Sequence, residues 1–156
     1  MLLLRASDLP EGADWEYEPK LDGYRALAIK TGGKIQLRSR NDNDFSLRYP
    51  SIIKALAPLA DETVLDGEIV ALNDSGRPSF NTLQNYGSSK APVFYYVFDV
   101  PILAGQDLQS ETLDTRRELL RTKVLSKLGE PIRYSVDLNA SLPDLVRSIR
   151  EQGSKA

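Results

Sequence analysis

The run Pro92-Val-Phe-Tyr-Tyr-Val-Phe-Asp-Val-Pro-Ile102 constrains the fold more than any other stretch of this sequence. β-Branched and aromatic residues follow one another throughout, so the segment reads as a buried strand. Other strands are legible before it. Residues 24–31 and 34–40 flank Gly32-Gly33, which reads as a tight hairpin turn, and the second arm alternates polar and apolar as a strand with one wet face should. Residues 63–72 form a strongly apolar strand interrupted by Asp66-Gly67-Glu68, and residues 15–20 look extended. Helices are expected at 49–58, with Pro50 and Ser51 in the first turn, and at 79–85, capped by Ser79 or Asn81. A longer helix is expected at 111–128, with Leu113, Leu119, Leu120 and Leu125 against a charged face, then a strand at 132–138 and a last helix at 142–152. Strands that dominate the first hundred residues and come as hairpins predict an α+β fold of antiparallel sheets with flanking helices.

The chain contains neither cysteine nor histidine. That excludes disulfides, zinc–thiolate sites and thiol nucleophiles, and removes the commonest general base and transition-metal ligand. Chemistry is left to lysine, carboxylate, hydroxyl or an oxygen-bound metal, for which Mg²⁺ is the natural candidate. Net charge is −2 but unevenly spread. Between Gly23 and Lys54, Arg25, Lys30, Lys34, Arg38, Arg40, Arg48 and Lys54 face only Asp42 and Asp44, an arrangement that fits phosphate contacts and equally a solvated hairpin. The apolar start, Met1-Leu-Leu-Leu-Arg5, is too short for a signal peptide, and no run approaches a membrane span, so a cytoplasmic protein with no membrane partner is expected.

Three stretches carry candidate chemistry. Glu18-Pro-Lys-Leu-Asp-Gly-Tyr-Arg25 places a lysine at the end of one extended segment, before a turn in which Gly23 is expected to use its freedom at positive φ. Asp66 and Glu68 are two apart in an apolar strand, hence on one face, where ionised carboxylates are costly unless they meet cations or donors. Asp99, just after Phe98, is expected to end the strand 94–100, and a strand end is where a ligand crevice can form. Lysine, arginines, a strand carboxylate and an aromatic ring are the parts needed to hold a nucleoside triphosphate.

These residues, in order, resemble a known family. Glu18-Pro-Lys20-Leu-Asp-Gly-Tyr-Arg25, Ser39-Arg40-Asn41, Leu65-Asp-Gly-Glu-Ile-Val70 and Phe94-Tyr-Tyr-Val-Phe-Asp99 are similar to the nucleotidyltransferase (adenylation) domain of ATP-dependent DNA ligases. The wording of Trp15-Glu-Tyr-Glu, Gly76-Arg-Pro-Ser-Phe-Asn-Thr-Leu-Gln84 and Leu113-Asp-Thr-Arg-Arg-Glu-Leu-Leu120 looks most like the bacterial end-joining ligases. The resemblance implies that Lys20 attacks the α-phosphorus of ATP to become lysyl-AMP, and that Glu18 recognises the adenine amino group. It implies that Arg25 and Arg40 contact nucleotide phosphate and sugar or the DNA 5′-phosphate. Glu68 would hold ribose or a metal-bound water, and Phe98 would stack on adenine. Asp22 and Asp66 are expected to be structural. ATP and Mg²⁺ are the implied cofactors, and nicked or broken double-stranded DNA the implied partner, with association with the nucleoid in a bacterial cell.

The family continues with a Glu-Gly strand, a Lys-x-Lys strand and an OB-fold, none of which follows here. Residues 1–156 are therefore expected to form a partial adenylation domain, with an exposed sheet edge that a homodimer would cover. Two other readings stand beside this one: a non-catalytic remnant or interaction module, and an RNA ligase or mRNA-capping relative that shares the Lys-x-Asp-Gly chemistry.

Overall fold

A computed structural model describes residue 18 and residues 20–87 and 91–135. The chain divides into two compact units, Leu21–Ser135 and a second made of Met1–Lys20 with Val136–Ala156. In the second unit the described residues are Glu18 and Lys20, both exposed and neither in a strand. The expected helix at 142–152 and the end of the expected strand at 132–138 lie outside the described residues.

The first unit is built on one sheet. Strands β1 (Tyr24–Thr31), β2 (Lys34–Ser39), β3 (Thr63–Ala71), β4 (Val93–Leu103) and β5 (Gln106–Asp107) lie in the order β2-β1-β3-β4-β5, and β6 (Ile132–Tyr134) pairs with β4. The pairings are antiparallel except β4–β6, which is parallel, so the expectation of purely antiparallel sheets is corrected at that edge. Alternation in the sequence becomes two faces. Ala26, Ala28, Leu37, Leu65, Ile69, Tyr95 and Val97 are buried on one of them.

Two short helices cover that face: α1 (Pro50–Ala55), which begins on Pro50 and contributes buried Ile52, and α2 (Phe80–Gln84), capped by Ser79 Oγ accepting from Thr82 N, which contributes Leu83. Tyr49, Leu56 and Leu83 are fully buried, and each such side chain stabilises the fold by about 1.5–3 kcal/mol. The helix expected at 111–128 is interrupted. Residues Leu113–Leu119 form α3, capped by Thr112, and the chain then loosens into a π-helical turn at Leu120–Val124 and a 3₁₀ turn at Leu125–Lys127. Leu120 and Val124 stay buried through that change.

Strand β2 ends the sheet, and its own loop covers part of it. Phe45 N donates to Leu37 O at 2.8 Å, Ser39 N to Asn43 O at 3.0 Å, and Leu37 N to Ser46 Oγ at 3.0 Å. Backbone groups paired in this way are withdrawn from strand addition. The expected homodimer finds no support at this edge.

Candidate functional site

Position along the ladder brings distant residues together. Arg25 in β1 is the register partner of Glu68 in β3, Glu68 that of Tyr96 in β4, and Tyr96 that of Arg133 in β6. One row of the sheet thus reads Arg25, Glu68, Tyr96, Arg133 on the face opposite the buried side chains. Beside it lie Asp66 and Phe98.

The carboxylate of Asp66 grips Arg25 with both oxygens: Nε donates to Oδ1 at 3.0 Å and Nη2 to Oδ2 at 2.5 Å. The side chains are 36 % and 14 % exposed, so the pair is screened less than a surface one. Its hydrogen bond to Asp66 raises the Arg25 guanidinium above the ordinary arginine value, against the opposing effect of burial. Fixed in this plane, Arg25 sets its Cζ 5.4 Å from the centroid of the Phe98 ring. Asp66, expected to be structural, is the residue that orients Arg25.

Glycine explains how Glu68 is placed. A Cβ on Gly23 would collide with the carbonyl oxygen of Ile69 and come within 3.0 Å of Glu68 Cγ, so only glycine lets the chain pass this close to β3. From there Gly23 N donates to Glu68 Oε1 at 3.0 Å. Gly23 is not among the glycines at positive φ, which corrects the expected left-handed turn: the motif needs its small size. Gly67 obeys the same rule. A Cβ there would lie 2.5 Å from Tyr96 O and 2.7 Å from the Tyr95 ring. Beneath, the fully buried Tyr95 hydroxyl donates to Ala26 O at 2.8 Å, with Leu65 O at 3.2 Å, tying β1 to β3 under the site row.

Further along β4, Arg133 Cζ lies 3.7 Å from the Phe94 ring centroid, and Arg133 Nη1 donates to Tyr96 Oη at 3.2 Å. Asp99 is held by Arg116 of α3 through two hydrogen bonds, Nε to Oδ1 at 2.8 Å and Nη2 to Oδ2 at 2.9 Å. That pair raises the Arg116 guanidinium above its ordinary value. The sequence reading missed it. Asp99 lies within β4, which runs on to Leu103, and does not end the strand as expected; the available signal was an acid in that strand followed by the paired arginines Arg116-Arg117 of α3.

Arg25, Glu68 and Phe98, three of the residues named from the sequence, therefore share one face. Arg40 lies one step past β2, where the register Ala26↔Ser39 extrapolates to the level of Arg25. It is exposed and makes no side-chain hydrogen bond or ion pair among the described residues. Much of the basic stripe is committed elsewhere: Lys30 Nζ donates to the carbonyls of Ala57 and Leu59, and Arg48 Nη2 to those of Leu83 and Gln84. Glu18 and Lys20 belong to the other unit. Among the described residues no group of three acids could hold a metal ion, and no helix is long and apolar enough to cross a membrane.

The sheet and its polar row define a ligase nucleotidyltransferase fold, as comparison with solved structures bears out. A mycobacterial DNA ligase D complexed with ATP and MES superposes with a TM-score of 0.74 at 31 % identity, over 92 % of this chain and 46 % of that one. The ligase domain of LigD from M. tuberculosis gives 0.73 at 32 % identity, over 92 % and 47 %. The model of the ATP dependent DNA ligase domain matches residues 6–152, and the chain belongs to that family. Its likeness is to the bacterial end-joining type: it is 37 % identical to the multifunctional non-homologous end joining protein LigD of Pseudomonas aeruginosa, over 92 % of this chain and 18 % of that protein. For the LigD of Mycobacterium tuberculosis the figures are 40 %, 72 % and 15 %. The chain thus spans less than a fifth of the length of these curated relatives, and just under half of the two solved ligases.

Proposed function

We infer that this chain carries the nucleotide-binding face of an ATP-dependent DNA ligase and that Lys20 takes AMP from ATP. The observation that carries the reading is the meeting of Arg25, Glu68 and Phe98 on one face, from three strands that are far apart in sequence. A cation, a carboxylate and an aromatic ring on one face suit a phosphate, a ribose and a base respectively. The mycobacterial ligase D with a similar fold was solved with ATP.

In the first step Lys20 Nζ attacks the α-phosphorus. A nitrogen–phosphorus bond forms, the bond from that phosphorus to the bridging oxygen breaks, and pyrophosphate leaves. A nucleophilic lysine must shed a proton before it can attack. Arg25, held rigid by Asp66, offsets charge that develops on the phosphate oxygens at no reorganisation cost. Phe98 stacks on the base, Glu18 reads its amino group, and Arg40 meets phosphate, either of the nucleotide or of a DNA 5′ end. The AMP then passes to the 5′-phosphate of nicked or broken DNA, and a 3′-hydroxyl displaces it as the strand is sealed.

Magnesium suits this face as a companion of the triphosphate. It accepts one or two carboxylates and fills its other positions with phosphate oxygens and water, so the absence of a three-acid cluster among the described residues is compatible with it. Glu68 would hold it, directly or through water, and the ion would neutralise phosphate charge.

The test is retention of label from ATP carrying it at the α- or the γ-phosphate, with GTP beside it. Expected are α-label that survives denaturation, no γ-label, preference for ATP over GTP, and a fall of ten-fold or more in Arg25→Gln, on the order of one lost charged contact. A folded chain that binds no ATP would overturn the reading.

A further inference from the structure

Phe98 stands at a break in the ladder. Register partners run Gly67↔Val97 and then Asp66↔Asp99, so β4 carries Phe98 as an extra residue between them. A bulge of this kind bends its strand and re-aims a side chain. Burial shows the same break: Val97 and Val100 are buried, while Phe98 and Asp99 between them are both half-buried.

Two arginine–carboxylate pairs bracket the bulge. On one side Asp66 holds Arg25 against the Phe98 ring. On the other, Asp99 is gripped by Arg116, and its Oδ1 also accepts from Val100 N at 2.8 Å. Arg116 Nη1 donates to Glu111 O at 2.8 Å, so this guanidinium is spent on the scaffold. The Asp99–Arg116 side chains are only 22 % and 17 % exposed. Asp66 and Asp99 are cross-strand partners, and like charges placed opposite one another repel. Each is matched by an arginine from a different element, which keeps the two strands at this register with Phe98 between them.

We propose that Arg116, acting through Asp99, is a positioning residue that holds the bulge at Phe98 and so sets how the ring meets the nucleotide base. The proposal rests on the base-stacking role given to Phe98 above.

The test is ATP affinity by calorimetry on the full chain, with tripolyphosphate as a ligand that has no base. The variants are Phe98→Leu, Arg116→Gln, Asp99→Asn and the pair Phe98→Leu with Arg116→Gln. Glu118→Gln, which removes only the exposed ion pair with Arg121, is the control. Phe98→Leu is expected to weaken ATP roughly 5- to 100-fold, the range of a base–aromatic stack. Arg116→Gln and Asp99→Asn are expected to weaken it about 3- to 10-fold, as coupled neighbours do, and to leave tripolyphosphate unchanged. The double variant should then lose no more than Phe98→Leu alone. Additive losses, a parallel loss of tripolyphosphate binding, or unchanged ATP binding in Arg116→Gln would overturn the proposal. If Arg116→Gln does not fold, Asp99→Asn gives the same reading. Phe98→Leu without effect on ATP overturns the stacking role itself, whereas a loss in Phe98→Leu alone overturns only the part given to Arg116.

Discussion

Strand β1 has a glycine turn at each end, and the two work for opposite reasons. At the hairpin, Gly32 and Gly33 have φ of 55° and 75°, and a Cβ on either would meet nothing within 4 Å. There glycine supplies a backbone conformation and space is plentiful. At the site end, Gly23 needs no such conformation, but its missing Cβ lets the chain lie against β3 and donate to Glu68. Conformational demand is local and forgiving. Close approach is a tertiary demand, and it ties the site to the packing beneath it.

Substitutions should separate the two ends. The largest effect is expected from Gly67→Ala, whose methyl would press on Tyr96 O and the buried Tyr95 ring: a loss of about 3 kcal/mol, the upper range for overpacking, read as a lower urea midpoint. Next comes Tyr95→Phe, which removes the buried donor to Ala26 O and should cost about 1–2 kcal/mol in the same assay. Tyr49→Phe is its counterpart away from the site row. Among the described residues the buried Tyr49 hydroxyl has no hydrogen-bond partner, so its removal should be neutral or stabilising.

Alkali should sharpen the same contrast. Burial pushes the Tyr49 phenol up to about 12 and the Tyr95 phenol well above its usual value. Below about pH 10 both phenols keep their protons, folded or unfolded, and contribute no pH dependence. Above it the unfolded chain ionises first, so the folded state binds more protons and stability falls as pH rises. Tyr49's share is lost between pH 10 and about 12. The urea midpoint should therefore decline above pH 10, and less steeply in Tyr49→Phe. The smallest effect is expected from Gly33→Asn, about 0.5 kcal/mol with ATP affinity unchanged, because asparagine tolerates the left-handed region. A large loss there would erase the distinction between the two turns.

What the sequence disclosed is what short-range pattern encodes. Residues 24–31 were readable as β1 to the residue because Gly32-Gly33 marks the hairpin turn that ends the strand, and Ser79 as a cap because its side chain serves the next turn. Ordered motifs also pointed to Arg25, Glu68 and Phe98, which the ladder unites. What escaped depends on partners far along the chain. Local pattern predicted one helix over 111–128, but nothing in it marked the π turn at Leu120–Val124. A three-residue strand such as β6 does not announce that it will pair parallel to β4. The grip of Arg116 on Asp99 was missed for the same reason, as was the use of Gly23 for its size.

The central claim is that Lys20 is the residue charged with AMP. Its most direct test is peptide mapping by mass spectrometry after incubation with ATP and Mg²⁺, with Lys20→Ala in parallel. The account predicts one added AMP on the peptide that contains Lys20, and no adduct in the variant. An adduct on any other residue, or one that persists in Lys20→Ala, would contradict it.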